Sequence, residues 1–130
     1  MMKGLFVALI LVLTSLNLFG QSKNYRAVAP KRLNKEITTS KNTFQIVDVR
    51  SEKEFKEKHI KSATNMDVND STFTSKIEQL DKNKPVYLYC RTGKRSETAA
   101  KILVEKGFEN VYFLKGGVQK WEKKNFFLVN

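Results

Sequence analysis

Cysteine, histidine and tryptophan occur once each in the 130 residues, and proline only twice. One cysteine cannot close a disulfide within its own chain, and one cysteine with one histidine cannot supply the ligands of a zinc site. No metal and no cofactor is therefore expected. Six glycines and two prolines exclude collagen-like and low-complexity architectures. No apolar run reaches the length of a comfortable membrane-spanning helix: the longest, Leu5–Leu13, is broken afterwards by Thr14, Ser15 and Asn17. Acidic residues are also short, 13 against 24 Lys and Arg, for a net charge of +11. Such a balance favours anionic partners. Lys53, Lys56, Lys58, Lys82, Lys101 and Lys123 are nevertheless interleaved with glutamates, as on solvated helix faces, so no nucleic-acid partner is expected.

Lys3, the apolar block and the small residue of Gly20-Gln21 have the layout of a signal peptide. Residues 1–20 are read as that peptide and 21–130 as a single domain, monomeric and exported to the periplasm or beyond. No stable membrane insertion is expected after cleavage. Leu18 fits the small-x-small rule poorly, which leaves an uncleaved anchor as the alternative.

Short β-rich runs at Phe44–Val49, Thr64–Met66, Val86–Tyr89 and Val111–Phe113 alternate with helical patterns. Helices are predicted near Pro30–Thr38, Ser51–Lys58, Ser71–Leu80, Ser96–Lys106 and Val118–Lys123. This alternation predicts an α/β sandwich around a parallel sheet. Gln21–Val28 reads as a polar lead-in, and Phe126–Val129, with Trp121, as core or tail packing. Ser51 and Glu54 have the spacing of a capping box.

The chemistry-bearing segment is Cys90-Arg91-Thr92-Gly93-Lys94-Arg95-Ser96, at the end of one strand and the start of one helix. A lone cysteine is usually a small buried hydrophobe. Here Arg91, Lys94 and Arg95, a flexible Gly93 and the helix N-terminus form an anion-binding nest, which favours a thiolate nucleophile. Asp48 and Arg50, at the end of another strand, are expected to pair and fix the next helix, with Asp48 bracing the cysteine loop. His59 is read as structural.

Three segments together resemble the rhodanese-like sulfurtransferases. These are Ile46–Met66, with Asp48-Val49-Arg50, His59-Ile60 and Ala63-Thr64-Asn65; the loop Cys90–Ser96; and Gly116-Gly117-Val118 leading to Trp121. The resemblance implies a three-layer sandwich with a five-stranded parallel sheet and helices on both faces. It also implies that Cys90 carries a sulfane sulfur from thiosulfate or a similar donor, as a persulfide, to cyanide or a thiol. Arg95 would bind the substrate anion, Arg91 and Lys94 would steer it, and six inward amides, including those of Thr92, Gly93 and Ser96, would cradle it. Partners would be small sulfur-containing anions and thiol or dithiol acceptors. Lys58, Lys61 and Ser62 stand where the family often has glycine or Pro-Gly, so that turn is built without its permissive residues.

Two alternatives remain at this point. One is a non-enzymatic module that holds an anion or partner on the same loop. The other is a phosphatase-like or arsenate-reductase-like enzyme, which the loop disfavours. Only Arg91–Lys94 separate Cys90 from Arg95, and no aspartate stands ready as a general acid.

Overall fold

Valines, isoleucines and aromatic residues concentrate in five short strands, β1 Tyr25–Val28, β2 Gln45–Asp48, β3 Thr64–Asn65, β4 Val86–Tyr89 and β5 Val111–Leu114. In the computed structural model, which describes residues 24–40 and 43–130, they form one parallel sheet in the order β1-β5-β4-β2-β3. The segment read as a signal peptide lies outside the described residues. No described helix is long and apolar enough to cross a membrane.

Side-chain alternation along β4 separates two apolar layers. Val86, Leu88 and Cys90 face one side, and Tyr87 and Tyr89 face the other. The first side is covered by α3 (Phe73–Lys76) and α4 (Lys94–Glu105), through Phe73, Ala99, Ala100 and Leu103. The second is covered by α1 (Pro30–Thr39) and α5 (Gly117–Lys123), through Leu33, Val118 and Trp121. Helix α2 (Glu52–Glu57) buries no residue and sits between strands β2 and β3 in the chain. The expected three-layer α/β sandwich is therefore the fold of the chain.

Three expectations need correction. Tyr25–Val28 is not a lead-in but the edge strand β1, paired with β5 from Tyr25↔Val111 to Val28↔Leu114. Tyr25 and Val28 are buried in opposite layers while Arg26 and Ala27 are exposed, so the strand shows neither an apolar run nor simple alternation. Ser71–Leu80 is not one helix. It is a single α turn followed by a 3-10 turn at Ile77–Gln79, because Asp70 caps the Thr72 amide at 2.8 Å and Ser75 bonds back to the Thr72 carbonyl at 2.8 Å. Helix α4 begins at Lys94 instead of Ser96, since Gly93 turns the chain at φ 109°. In the tail, Phe126 packs edge-on to Trp121 as expected, but Phe127 is 71 % exposed.

The turn lacking its permissive residues places Ser62 at φ 71°, in the left-handed region that disfavours a Cβ. Ser62→Gly should stabilise the fold by about 0.5–1 kcal/mol, the relief of strain less the added chain entropy. Urea unfolding should show a higher midpoint at unchanged slope. A lower midpoint would mean that Ser62 sits in that turn without strain.

Candidate active site

β4 ends at Tyr89, and the chain turns within four residues, Cys90, Arg91, Thr92 and Gly93, into α4. This puts Cys90 at the carboxyl end of a central strand, the usual position of a site in an open parallel sheet. Its side chain is 1 % exposed and packs in the core, as the bland view of a lone cysteine expects. Its sulfur, however, has polar company. The Gly93 amide donates to Sγ at 3.1 Å, and the Ser96 hydroxyl lies 3.5 Å away while donating to the Gly93 carbonyl at 3.0 Å.

Burial pushes the Cys90 thiol up, but the Ser96 hydroxyl and the amides of Ser96, Gly93 and Thr92 outweigh it and hold the thiol below its ordinary range. Ser96 has one hydroxyl proton. It can serve the Gly93 carbonyl beside a thiol, or turn to the sulfur once that is ionised. Neutral donors do this work; Arg91 and Lys94 are exposed on the rim of the loop.

The loop is held from behind by α5. The amides of Val118 and Gln119 donate to the carbonyls of Cys90 (2.8 Å) and Arg91 (3.0 Å). Gly117 makes this approach possible, since a Cβ there would lie 2.3 Å from the Arg91 carbonyl oxygen. The Gly116-Gly117 pair of the sequence is thus part of the site, through backbone alone.

Arg95, expected to hold the substrate anion, is occupied by Glu54. Its Nη1 donates to Oε1 at 2.9 Å and its Nη2 to Oε2 at 3.2 Å, so α4 is tied to α2 by a bidentate pair. The Ser51 hydroxyl accepts from the Glu54 amide at 3.2 Å and donates to its carboxylate, also at 3.2 Å. The capping box is therefore real: the Ser51 hydroxyl serves the Glu54 amide, the Glu54 carboxylate takes a bond from the Ser51 backbone, and the same carboxylate also reaches Arg95 on a distant helix. Arg95, burial notwithstanding, and the Ser51 bonds hold the Glu54 carboxyl down at about 2.

Asp48 and Arg50 pair as expected, at 2.7 Å, and both are buried. They lie on the α1 and α5 side, with Arg50 over the Tyr89 ring and its Nη2 donating to the Lys58 carbonyl at 2.7 Å. The described hydrogen bonds of the Asp48 carboxylate go to Arg50 and none joins it to the cysteine loop, so the expected bracing of that loop is not seen. The end of β2 meets the end of β4 through backbone alone, the Val49 amide donating to the Tyr89 carbonyl at 2.9 Å. Asn65, within a motif but given no role from sequence, donates to the Asp48 and Arg50 carbonyls at 3.0 and 2.9 Å. His59 stacks on Phe55, and its Nδ1 lies 2.8 Å from the Phe55 carbonyl, a structural setting. Among the described residues no cluster of histidine, cysteine or acidic side chains could hold a metal ion.

A hollow of about 610 Å³ lined by Asn24, Arg26, Phe108 and Tyr112 lies at the amino ends of β1 and β5, remote from Cys90. The chemistry belongs to the loop.

A parallel α/β sandwich with one cysteine under a ring of amides defines a class, and sequence comparison identifies it. The rhodanese-like domain family model matches residues 29–124, and the chain belongs to that family. It is 37 % identical over 87 residues to the thiosulfate sulfurtransferase GlpE of Shewanella oneidensis, covering 67 % of this chain and 84 % of that protein. It is also 37 % identical over 109 residues to the tRNA uridine(34) hydroxylase of Pelagibacter ubique, covering 83 % of this chain but only 36 % of that longer protein. A crystal structure of a rhodanese-related protein from Thermoplasma volcanium superposes with a TM-score of 0.71 at 25 % identity, covering 81 % of this chain and 98 % of that one.

Two outcomes are expected from these contacts. Ser96→Ala should raise the Cys90 pKa, seen as a shift to higher pH in the rate of alkylation by iodoacetamide; an unmoved profile would assign the depression to other groups. Because the Glu54 carboxyl is depressed from 4.5 to about 2, its ion pair stabilises the fold fully above 4.5 and is lost as pH falls towards 2. Stability of the wild type should therefore fall more steeply through that window than that of Glu54→Gln, and parallel acid limbs would count against the pair.

Proposed function

We propose that the chain is a sulfurtransferase that accepts a sulfane sulfur from thiosulfate, or a similar small anion, and passes it to a thiophilic acceptor. The observation that carries this reading is the Cys90 thiol, held below its ordinary range by amides that converge on one point. The Shewanella relative is a thiosulfate sulfurtransferase.

The Cys90 thiolate attacks the outer sulfur of thiosulfate. A bond forms from Sγ to that sulfur, the sulfur–sulfur bond of the donor breaks, and sulfite leaves with the bonding pair. The terminal sulfur of the resulting persulfide carries the negative charge, which the amides of Thr92, Gly93 and Ser96 are placed to stabilise. Attack by cyanide on that terminal sulfur releases thiocyanate and returns the thiolate. The chain has no second cysteine, so the acceptor comes from outside.

Arg91 and Lys94, exposed at the rim, raise the local concentration of anions. With Glu54 on its guanidinium, Arg95 acts in this reading by bracing the loop, and the amides take the anion. Export follows from the N-terminal pattern of Lys3, Leu5–Leu13 and Gly20 and is likewise proposed.

Thiocyanate formation from thiosulfate and cyanide should be lost in Cys90→Ser. Thiosulfate alone should add the mass of about one sulfur atom to the wild type, at Cys90 only. A folded, reduced wild type with neither turnover nor adduct would leave the loop as an anion- or partner-binding module. For export, intact mass of protein recovered from the producing cells should show loss of the first twenty or so residues; a retained N-terminus would refute cleavage.

A further inference from the structure

Charge is divided unequally between the two layers of helices. On α1 the buried residues are Pro30 and Leu33, and the opposite, outward stripe is Lys31, Arg32 and Lys35. On α5 the buried residues are Gly117, Val118 and Trp121, and Lys120 and Lys123 are exposed, followed by Lys124. The two helices share one apolar layer, so these stripes face the same way. Their only carboxylates are Glu36, which accepts from the Ser40 hydroxyl at 3.0 Å, and Glu122, which pairs with Lys58. No described ion pair uses any of the six cations. The opposite layer differs: in α3, its 3-10 extension and α4 the signs alternate, with Glu78, Glu97 and Glu105 among Lys76, Lys94, Arg95 and Lys101. The interleaving seen in the sequence is therefore a property of one layer, and the excess charge gathers on the other.

An exposed apolar residue follows α5 in the chain. Phe127 is the exposed large hydrophobic residue of the described chain. It is not on a frayed end: the indole Nε1 of Trp121 donates to its carbonyl at 3.1 Å, and two residues later Val129 exchanges both backbone hydrogen bonds with His59, at 2.8 and 2.9 Å.

We propose that the outward faces of α1 and α5, with Phe127 at the end of α5, form a docking surface for a bilayer bearing anionic lipid. Unpaired lysines and arginines on one plane match a sheet of anionic headgroups. A fixed, exposed aromatic residue four positions after Lys123 matches the interfacial zone, where apolar surface leaves water without full insertion. The surface is separate from the cysteine loop and does not depend on the sulfur-transfer reading.

The test is co-sedimentation of the full chain with vesicles of phosphatidylcholine alone, or with about a third phosphatidylglycerol. Binding is expected to the anionic vesicles only, and to fade as salt rises. Lys31→Glu with Lys35→Glu, or Lys120→Glu with Lys123→Glu, should each weaken partitioning about twenty-five-fold or more, from roughly fivefold per cation. Phe127→Ser should weaken it severalfold with its salt dependence retained. Lys101→Glu with Lys106→Glu, an equal charge change on the opposite layer, should cost far less. An equal loss in that control would reduce the effect to net charge and overturn the surface. Binding to neutral vesicles that survives every substitution would assign it to the apolar Leu5–Leu13 segment and also overturn it. So would displacement from the vesicles by a duplex oligonucleotide at equal anionic charge. Circular dichroism of each variant confirms that it is folded.

Discussion

Two carbonyls of the cysteine loop, those of Cys90 and Arg91, are claimed from outside by helix α5. Val118 and Gln119, at the start of α5, donate to the carbonyls of Cys90 and Arg91. A peptide group whose oxygen is fixed on one side presents its N–H on the other, so the bond to the Arg91 carbonyl turns the Thr92 amide, one of the three amides on Sγ, towards the sulfur. The arrangement needs α5 to come within contact of the loop backbone, and Gly117 is the residue that permits it: a Cβ would meet the Arg91 and Cys90 carbonyl oxygens at 2.3 and 2.5 Å. Sheet order, loop geometry and thiol acidity meet at this contact. β5 must lie beside β4 for α5 to start where it does, and burial of the sulfur would otherwise raise its pKa.

A second constraint acts from the other flank. Glu54 ties α4 to α2 through Arg95, and Arg50 ties the end of β2 to the end of α2 through the Lys58 carbonyl. Cys90 thus lies between two fixed elements, α5 behind it and α2 beside it. The charged groups nearest the reaction are mostly structural, while neutral amides and one hydroxyl set the acidity of the nucleophile. That division leaves the floor of the cradle without a permanent counter-ion.

Much of this was legible in the sequence. Four of the five strands, the site loop and the Asp48–Arg50 pair could be placed from apolar runs and motif spacing. What escaped notice has specific causes. Strand β1 presents its two buried residues to opposite layers, three positions apart, a pattern that periodicity cannot distinguish from a loop. The partner of Arg95 lies 41 residues away on another helix, and Glu54 already had a satisfactory local explanation as a capping residue. Lysines that look evenly mixed with glutamates along the chain are sorted by the fold, because α1 and α5, far apart in sequence, cover one side of the sheet, and α3 and α4, between them, cover the other. Pairwise spacing carries local chemistry well, and layer assignment not at all.

The placement of β1 also bears on how the chain reaches this state. Tyr25–Val28 has its sheet partner in Val111–Leu114, and His59 has its bridge to Val129, so the earliest and middle parts of the domain are completed by its last residues. These are contacts of long sequence separation, whose loop-closure entropy must be met before they contribute. During synthesis β1 therefore remains an unpaired strand until nearly the whole domain has emerged.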